Sequence, residues 1–136
     1  MFLDDYSLHD STITNIEYDG SILSLYIEDG ETEDRYILTL KIDEYDLQFY
    51  FCERYPVSHQ VHFRGMEIDM QKLKSLFQEG YSLVIIECLR ASDCNLVLFE
   101  CATFPYPKES GVSHKIFIKL SDSAEMTLKK QDMVGG

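Results

Sequence analysis

Apolar residues in this chain fall mostly on alternate positions, the period of strands with one buried face. Thr12 to Tyr18 and Ile22 to Glu28 flank Asp19-Gly20, a pair suited to a hairpin turn that needs positive φ. In the second of these runs Leu23, Leu25 and Ile27 alternate with Ser24, Tyr26 and Glu28. In a third, Tyr36, Leu38, Leu40 and Ile42 alternate with Arg35, Ile37, Thr39 and Lys41. The intervening segment DGETED, Asp29 to Asp34, predicts an exposed, mobile loop, and Asp43 to Asp46 predicts the next turn. Leu47, Phe49 and Phe51 alternate with Gln48, Tyr50 and Cys52 in a fourth strand, which Pro56 should end because proline has no N–H to give a ladder. Val57 to Arg64 reads as a weaker strand, with Gly65 just beyond it.

One stretch changes period. Asp69 is an N-cap, Met70, Leu73, Leu76 and Phe77 share a face, and Gly80 follows the last periodic residue, so a helix near residues 70–79 should lay its stripe on the sheet. The longest apolar region comes next, YSLVIIECLRASDCNLVLFECATF from Tyr81 to Phe104, two runs about a polar turn. Val84, Ile86 and Cys88 would take one face of the first run and Leu83, Ile85 and Leu89 the other. Neither face reads as solvent, which predicts central strands covered on both sides. Pro105 and Pro107 forbid regular pairing in FPYPKESG. Ile116, Ile118 and Leu120 alternate with Lys115, Phe117 and Lys119 in a last clear strand; Met126 and Leu128 either extend it or form a short one of their own, and KKQDMVGG should fray. The expected fold class is α+β, mainly β: an antiparallel meander sheet of about eight strands, sandwich-like or a partly closed barrel, with one helix.

Composition narrows this further. A chain of 136 residues is expected to form a single domain, 1–136, and its 9 Tyr and 8 Phe suit strands. The 24 acidic residues against 12 basic ones give a net charge of -12, a field that repels phosphate backbones and favours a basic protein partner, or serves only solubility. The start, MFLDDYSLHD, lacks a basic n-region and a long apolar core, and no run approaches the roughly 20 apolar residues that span a bilayer, so neither a secretory signal nor a membrane is expected. The expected location is the cytoplasm. Cys52, Cys88, Cys94 and Cys101 form no C-x-x-C pair and read as reduced, mostly buried small hydrophobes. With no phosphate-cradling glycine loop, G-x-S-x-G or H-E-x-x-H, no cofactor and no catalytic residue is assigned.

Three groups of residues invite a chemical reading. His9, Asp10 and Ser11 spell the letters of a hydrolase triad, but consecutive residues of an extended chain point in alternating directions and cannot converge on one reacting atom. Their expected role is local: Asp10 or Ser11 bonding nearby backbone while His9 packs or pairs alongside. His59 and His62 have a helical metal-pair spacing, yet in a strand they face opposite sides, and a third ligand would have to come from Cys52, Asp10 or His114; no metal is assigned. Glu87 and Glu100 interrupt the central strands. A four-residue connection, Ser92 to Asn95, puts Glu87 opposite Glu100 and Ile86 opposite Cys101, whereas a two-residue connection puts Leu98 opposite Glu87. Facing carboxylates in an apolar sheet would repel unless protonated, bound to a cation or wetted, the arrangement that acid/base chemistry exploits. Otherwise they sit at a rim or pair with Arg90, Lys115 or Lys119.

The segment LHDSTITNIEYDGSILSLYI, Leu8 to Ile27, resembles a loose group of small bacterial proteins that begin with a His-Asp-Ser element followed at once by a hairpin. Some of that group are similar to immunity proteins, which neutralise the toxin domains of bacterial competition systems. The resemblance implies a non-catalytic binding protein and assigns no catalytic residue. Strong negative charge suits occupation of a basic surface. The expected contact residues are His9, Asp10 and Ser11, the loop carboxylates Glu31, Glu33 and Asp34, and Asp43, Glu44 and Asp46 around Tyr45, an aromatic anchor of the kind interface hot spots favour. The alternative reading is a small metal-dependent or carboxylate-using enzyme built on the histidines or on Glu87 and Glu100.

Overall fold

The computed structural model describes residues 8–131 apart from 59, 92 and 110. Among the described residues there are nine strands: β1 (Thr12–Tyr18), β2 (Ile22–Glu28), β3 (Arg35–Lys41), β4 (Leu47–Val57), β5 (Gln60–Ile68), β6 (Ser82–Ala91), β7 (Leu96–Phe104), β8 (Ser113–Leu120) and β9 (Thr127–Lys130). A helix, α1 (Met70–Gln78), separates β5 from β6, and a 3-10 turn (Glu44–Asp46) precedes β4. All strands join one antiparallel sheet that is not closed, in the order β5-β4-β8-β7-β6-β1-β2-β3-β9. Met126 and Leu128 thus belong to a separate strand region on the far edge, beside β3, rather than to an extension of β8.

Chain connectivity forces this sheet to curl. β3 and β4 are consecutive in sequence but stand six places apart in the sheet. In a flat sheet that gap is roughly 29 Å at about 4.8 Å per strand. The connection from Lys41 to Leu47 reaches roughly 21 Å fully extended, and its 3-10 turn shortens it. β8 and β9 are also six places apart and are joined only by residues 121–126. The two wings, β5-β4-β8-β7-β6 and β1-β2-β3-β9, therefore bend toward each other over a shared inner face. Leu23, Leu25, Leu38, Phe99, Ile116, Ile118 and Leu120 on that face are all fully buried in one cluster.

The helix follows its sequence signals. Asp69 accepts from the Lys72 amide at 2.8 Å, which satisfies one of the orphan N–H groups of the first turn. At the other end Gly80, at φ 97°, lets its own amide bond the Phe77 carbonyl and the Tyr81 amide bond the Leu76 carbonyl, a Schellman closure. Leu73 is its fully buried residue, and α1 packs on β1.

Two expectations about strands fail for identifiable reasons. Pro56 lies inside β4 instead of ending it, because pairing with β8 stops at Arg54↔Ser113 and no donor is needed on that side. The turn falls instead at Ser58, φ 50°, so that Val57 closes one strand and β5 runs through Gly65 to Ile68. The central pair β6–β7 is covered on one face only. Val97, Phe99, Cys101 and Thr103 are buried, while Leu98, Glu100 and Ala102 on the other face are half-exposed. A β-bulge between Ile85 and Glu87 also reverses the alternation of β6, so Leu83, Ile85 and Cys88 turn inward and Leu89 is exposed. β1 has the matching irregularity between Ile13 and Asn15, which is why Ile13 and Ile16, three apart, are both fully buried.

Leu73 is the helix's deepest attachment to this core. Leu73→Ala is expected to cost about 2–5 kcal/mol of unfolding free energy, measurable by urea denaturation. A loss under about 1 kcal/mol would mean that α1 is not part of the cooperative core.

Candidate functional site

Connections between strands gather the notable polar residues at the two ends of the curled sheet. At one end run both crossovers between the wings, together with the β1–β2 turn. Three aspartates there close their own turns: Asp19 accepts from the Ser21 and Ile22 amides, Asp43 from Tyr45 and Asp122 from Ala124. The two amide bonds hold the Asp19 carboxyl below its ordinary value. Glu44, Asp46 and Glu125 stand among them. The crossovers are tied together by the Ser121 amide bonding the Asp46 carbonyl, and the second is tied to the β6–β7 connection by Ser123, whose amide and hydroxyl both reach the Asn95 carbonyl.

The 3-10 turn forms a ridge between two clefts. One, of about 360 Å³, is bordered by Lys41, Asp43, Asp46, Asp122 and Glu125. The other, of about 580 Å³, is bordered by Tyr18, Glu44, Glu67 and Asp69 against Leu47, Phe49 and Met70. On the ridge Tyr45 is 84% exposed. Tyr18 registers the field of this end: burial raises its phenol above the ordinary value, and the carboxylates of Asp43, Glu44 and Asp19 raise it further. Its hydroxyl donates to the Ile42 carbonyl at 2.8 Å.

His9, Asp10 and Ser11 lie at the opposite end, with the Asp29–Asp34 loop. The loop is exposed but internally bonded rather than loose. Asp29 accepts from the Glu31 and Thr32 amides, the Glu33 amide bonds the Asp29 carbonyl, and the Asp34 amide bonds Thr32 Oγ1. Asp34 also pairs with Lys130 at 3.4 Å. The strands of the β2–β3 hairpin separate Glu31, Glu33 and Asp34 from Asp43, Glu44, Tyr45 and Asp46 by roughly 20 Å, so these residues do not form one edge.

The His-Asp-Ser element stitches the chain to β6. The Asp10 amide donates to the Ile85 carbonyl and the Ile85 amide to the Ser11 carbonyl, both at 2.8 Å. Asp10 adopts φ 66°, Ser11 is buried, and exposed His9 pairs with Asp10 at 3.0 Å. Backbone rather than side-chain bonding by Asp10 and Ser11 thus continues the β1–β6 ladder. Gly30 closes over it: a Cβ there would stand 2.6 Å from the Asp10 carbonyl oxygen.

Glu87 and Glu100 are opposite each other in register, as a four-residue connection requires. Ile85, not Ile86, faces Cys101, because Ile86 is the extra residue of the bulge. Glu87 is exposed, and Glu100 bonds Lys115 Nζ at 3.1 Å on the outer face. His62 stacks on its cross-strand neighbour Tyr55, whereas His59 lies outside the described residues. Among the described residues no three His, Cys, Asp or Glu side chains stand close enough to hold a metal ion. None of the cysteines forms a disulfide; Cys101 is buried, which pushes its thiol up, but Cys94 is exposed on the β6–β7 connection.

Sequence reasoning missed Asp19, Asp122 and Glu125 as neighbours of Asp43 to Asp46, since only the curl brings three separate connections together. It also passed over Glu53 and Thr103, which with His114 border a third cleft between α1, β4, β5 and β8. No protein-family model, curated protein or solved structure matches this chain.

Two outcomes test this geometry. Gly30→Ala is expected to lower stability by about 1–3 kcal/mol because the added carbon meets backbone, and an unchanged denaturation midpoint would contradict the contact. Tyr18→Phe is expected to cost about 1 kcal/mol at neutral pH. Because the folded-state pKa of Tyr18 is raised, its contribution is complete below the unfolded value of about 10 and is lost as pH rises through the folded value. The difference between wild type and Tyr18→Phe in denaturation midpoint should therefore shrink in strong alkali.

Proposed function

We propose that this chain is a non-catalytic protein-binding module that occupies a basic surface through its crossover end. The observation that carries the reading is the convergence of carboxylates from three connections around a ridge bearing a highly exposed tyrosine. Asp19, Asp43 and Asp122 have structural duties in their turns, which leaves Glu44, Asp46 and Glu125 as the side chains free of a turn bond to meet lysine or arginine of a partner. Tyr45 supplies a rigid aromatic contact between two clefts able to receive long basic side chains. A net charge of -12 adds long-range steering, which raises association rate more than final affinity.

Within that class, the resemblance of Leu8 to Ile27 to certain bacterial immunity proteins supports a chain that blocks a basic toxin domain in the cytoplasm. No described helix is long and apolar enough to cross a membrane. The enzyme alternative draws no support from Glu87, which faces solvent, or from Glu100, which is held by Lys115.

The test is a variant that keeps the turn aspartates, Glu44→Gln/Asp46→Asn/Glu125→Gln. It is expected to melt like the wild type while losing at least about tenfold in affinity for a basic protein captured from the native host. Wild-type binding should weaken steeply between low and physiological salt. Tyr45→Ala should remove about 2 kcal/mol or more of binding free energy. For the immunity reading, co-expression should rescue cells from the captured partner when that partner is toxic alone. Capture that ignores both the triple variant and salt would overturn the assignment of this surface.

A further inference from the structure

A cleft of about 370 Å³ opens between α1, the β4–β5 hairpin and the start of β8, with Ile68 standing between it and the cleft at Glu44 and Asp69. This volume lies in the range of small-molecule sites, about 300–1,000 Å³. Phe51, Met66, Ile68 and Leu76 give it apolar walls. Polar groups enter from neighbouring strands. Glu53 on β4 is directly opposite both His114 on β8 and Arg64 on β5, and Thr103 on β7 lies one step beyond the registered pair Ala102↔Lys115.

The hydroxyl of Thr103 is the anomaly. Thr103 is only 3% exposed and borders the cleft, yet its Oγ1 has no hydrogen-bond partner. Buried hydroxyls are ordinarily bonded, because desolvating one without a partner is unfavourable. A second imbalance lies at the opening. Glu53 is committed to His114, with Oε2 and Nε2 2.8 Å apart, and His114 also packs against Phe51. Among the described residues, neither Arg64 nor Lys72 has an ion-pair partner. The cleft thus combines an apolar body, an unsatisfied hydroxyl and two cations that make no ion pair, although the carboxylates of Glu53 and Glu79 also border it.

We propose that this cleft binds a small carboxylic acid with an apolar body. The body lies between Phe51, Met66, Ile68 and Leu76, the carboxylate meets Arg64, with Lys72 beside it, and a polar atom of the ligand completes the hydrogen bonding of Thr103. Arg64 is suited to this task because its planar fork matches a carboxylate, whereas Glu53 is already engaged by its bond to His114. A cationic ligand of the same shape would face Arg64 and Lys72 and would have to turn toward Glu79 or displace the Glu53–His114 bond, so the preference for an acid over an amine is the discriminating readout. The site shares only Ile68 with the clefts of the proposed protein-binding end and none of the charged residues assigned there, so either reading can fail without the other.

The test uses the full chain with 3-phenylpropanoate, hexanoate and indole-3-acetate, each beside the matching alcohol and amine, followed by amide NMR titration and thermal shift. Saturable perturbation at Thr103, His114 and Leu76 is expected from at least one acid, at least tenfold tighter than its alcohol and tighter still than its amine. Arg64→Gln should weaken that acid at least fivefold and leave the alcohol unchanged. Thr103→Val should weaken it severalfold while the unliganded protein melts at the same temperature or higher, since the lone hydroxyl is gone. The proposal is overturned if none of the acids saturates, if an amine binds best, or if Thr103→Val leaves acid binding intact, which would mean that the hydroxyl is served by water alone.

Discussion

A short seam holds the two wings of the sheet together. β1 and β6 share the register pairs Thr12↔Val84 and Ile13↔Leu83, after which bulges on both strands let them diverge. The His-Asp-Ser element lengthens this seam through the backbone bonds of Asp10 and Ser11 to Ile85, and α1 braces it by packing on β1. Because antiparallel ladders elsewhere are long, the seam is where the curvature of the sheet is set, and curvature is what allows the short crossovers to span from wing to wing.

Curling explains why charge concentrates where it does. Short crossovers need tight turns, and aspartate closes such turns by accepting from amides two or three residues ahead. Asp19, Asp43 and Asp122 do so at neighbouring positions, which builds a negative end from residues selected by local geometry. Glu44, Asp46 and Glu125 then add charge without a turn bond of that kind, and Tyr18 feels part of the sum. The opposite end is chemically mixed. It holds the bonded Asp29–Asp34 loop and the His9–Asp10 pair, while the cleft with Arg64, Lys72, His114 and Thr103 lies along the β4–β5 and α1 flank.

Much of the candidate chemistry was legible as residues but not as a site. Asp43 to Asp46 stood out in sequence, and so did Glu31 to Asp34, yet the length of the intervening hairpin places them at opposite ends. The sequence left two connections open for Glu87; the four-residue one is found and sets it opposite Glu100, while the bulge at Ile86 and the partner Lys115 decide that the pair faces outward and wet. Thr103 gave no sequence signal, since an isolated threonine in an apolar strand is ordinary until its hydroxyl is found buried without a partner.

The alternation of apolar residues, the Asp19-Gly20 turn and the Asp69 and Gly80 caps by themselves determined most of the strands, the helix and the antiparallel class, because these depend on neighbours within a few residues; the end of β4 and the bounds of β5 did not follow from them. Tertiary structure alone decided strand order, the side-chain reversals at Ile13–Asn15 and Ile85–Glu87, and the meeting of distant connections at each end. Those follow from which strands lie side by side and how far the sheet must bend for the chain to reach. That is a constraint on the whole molecule, and no local window of sequence contains it.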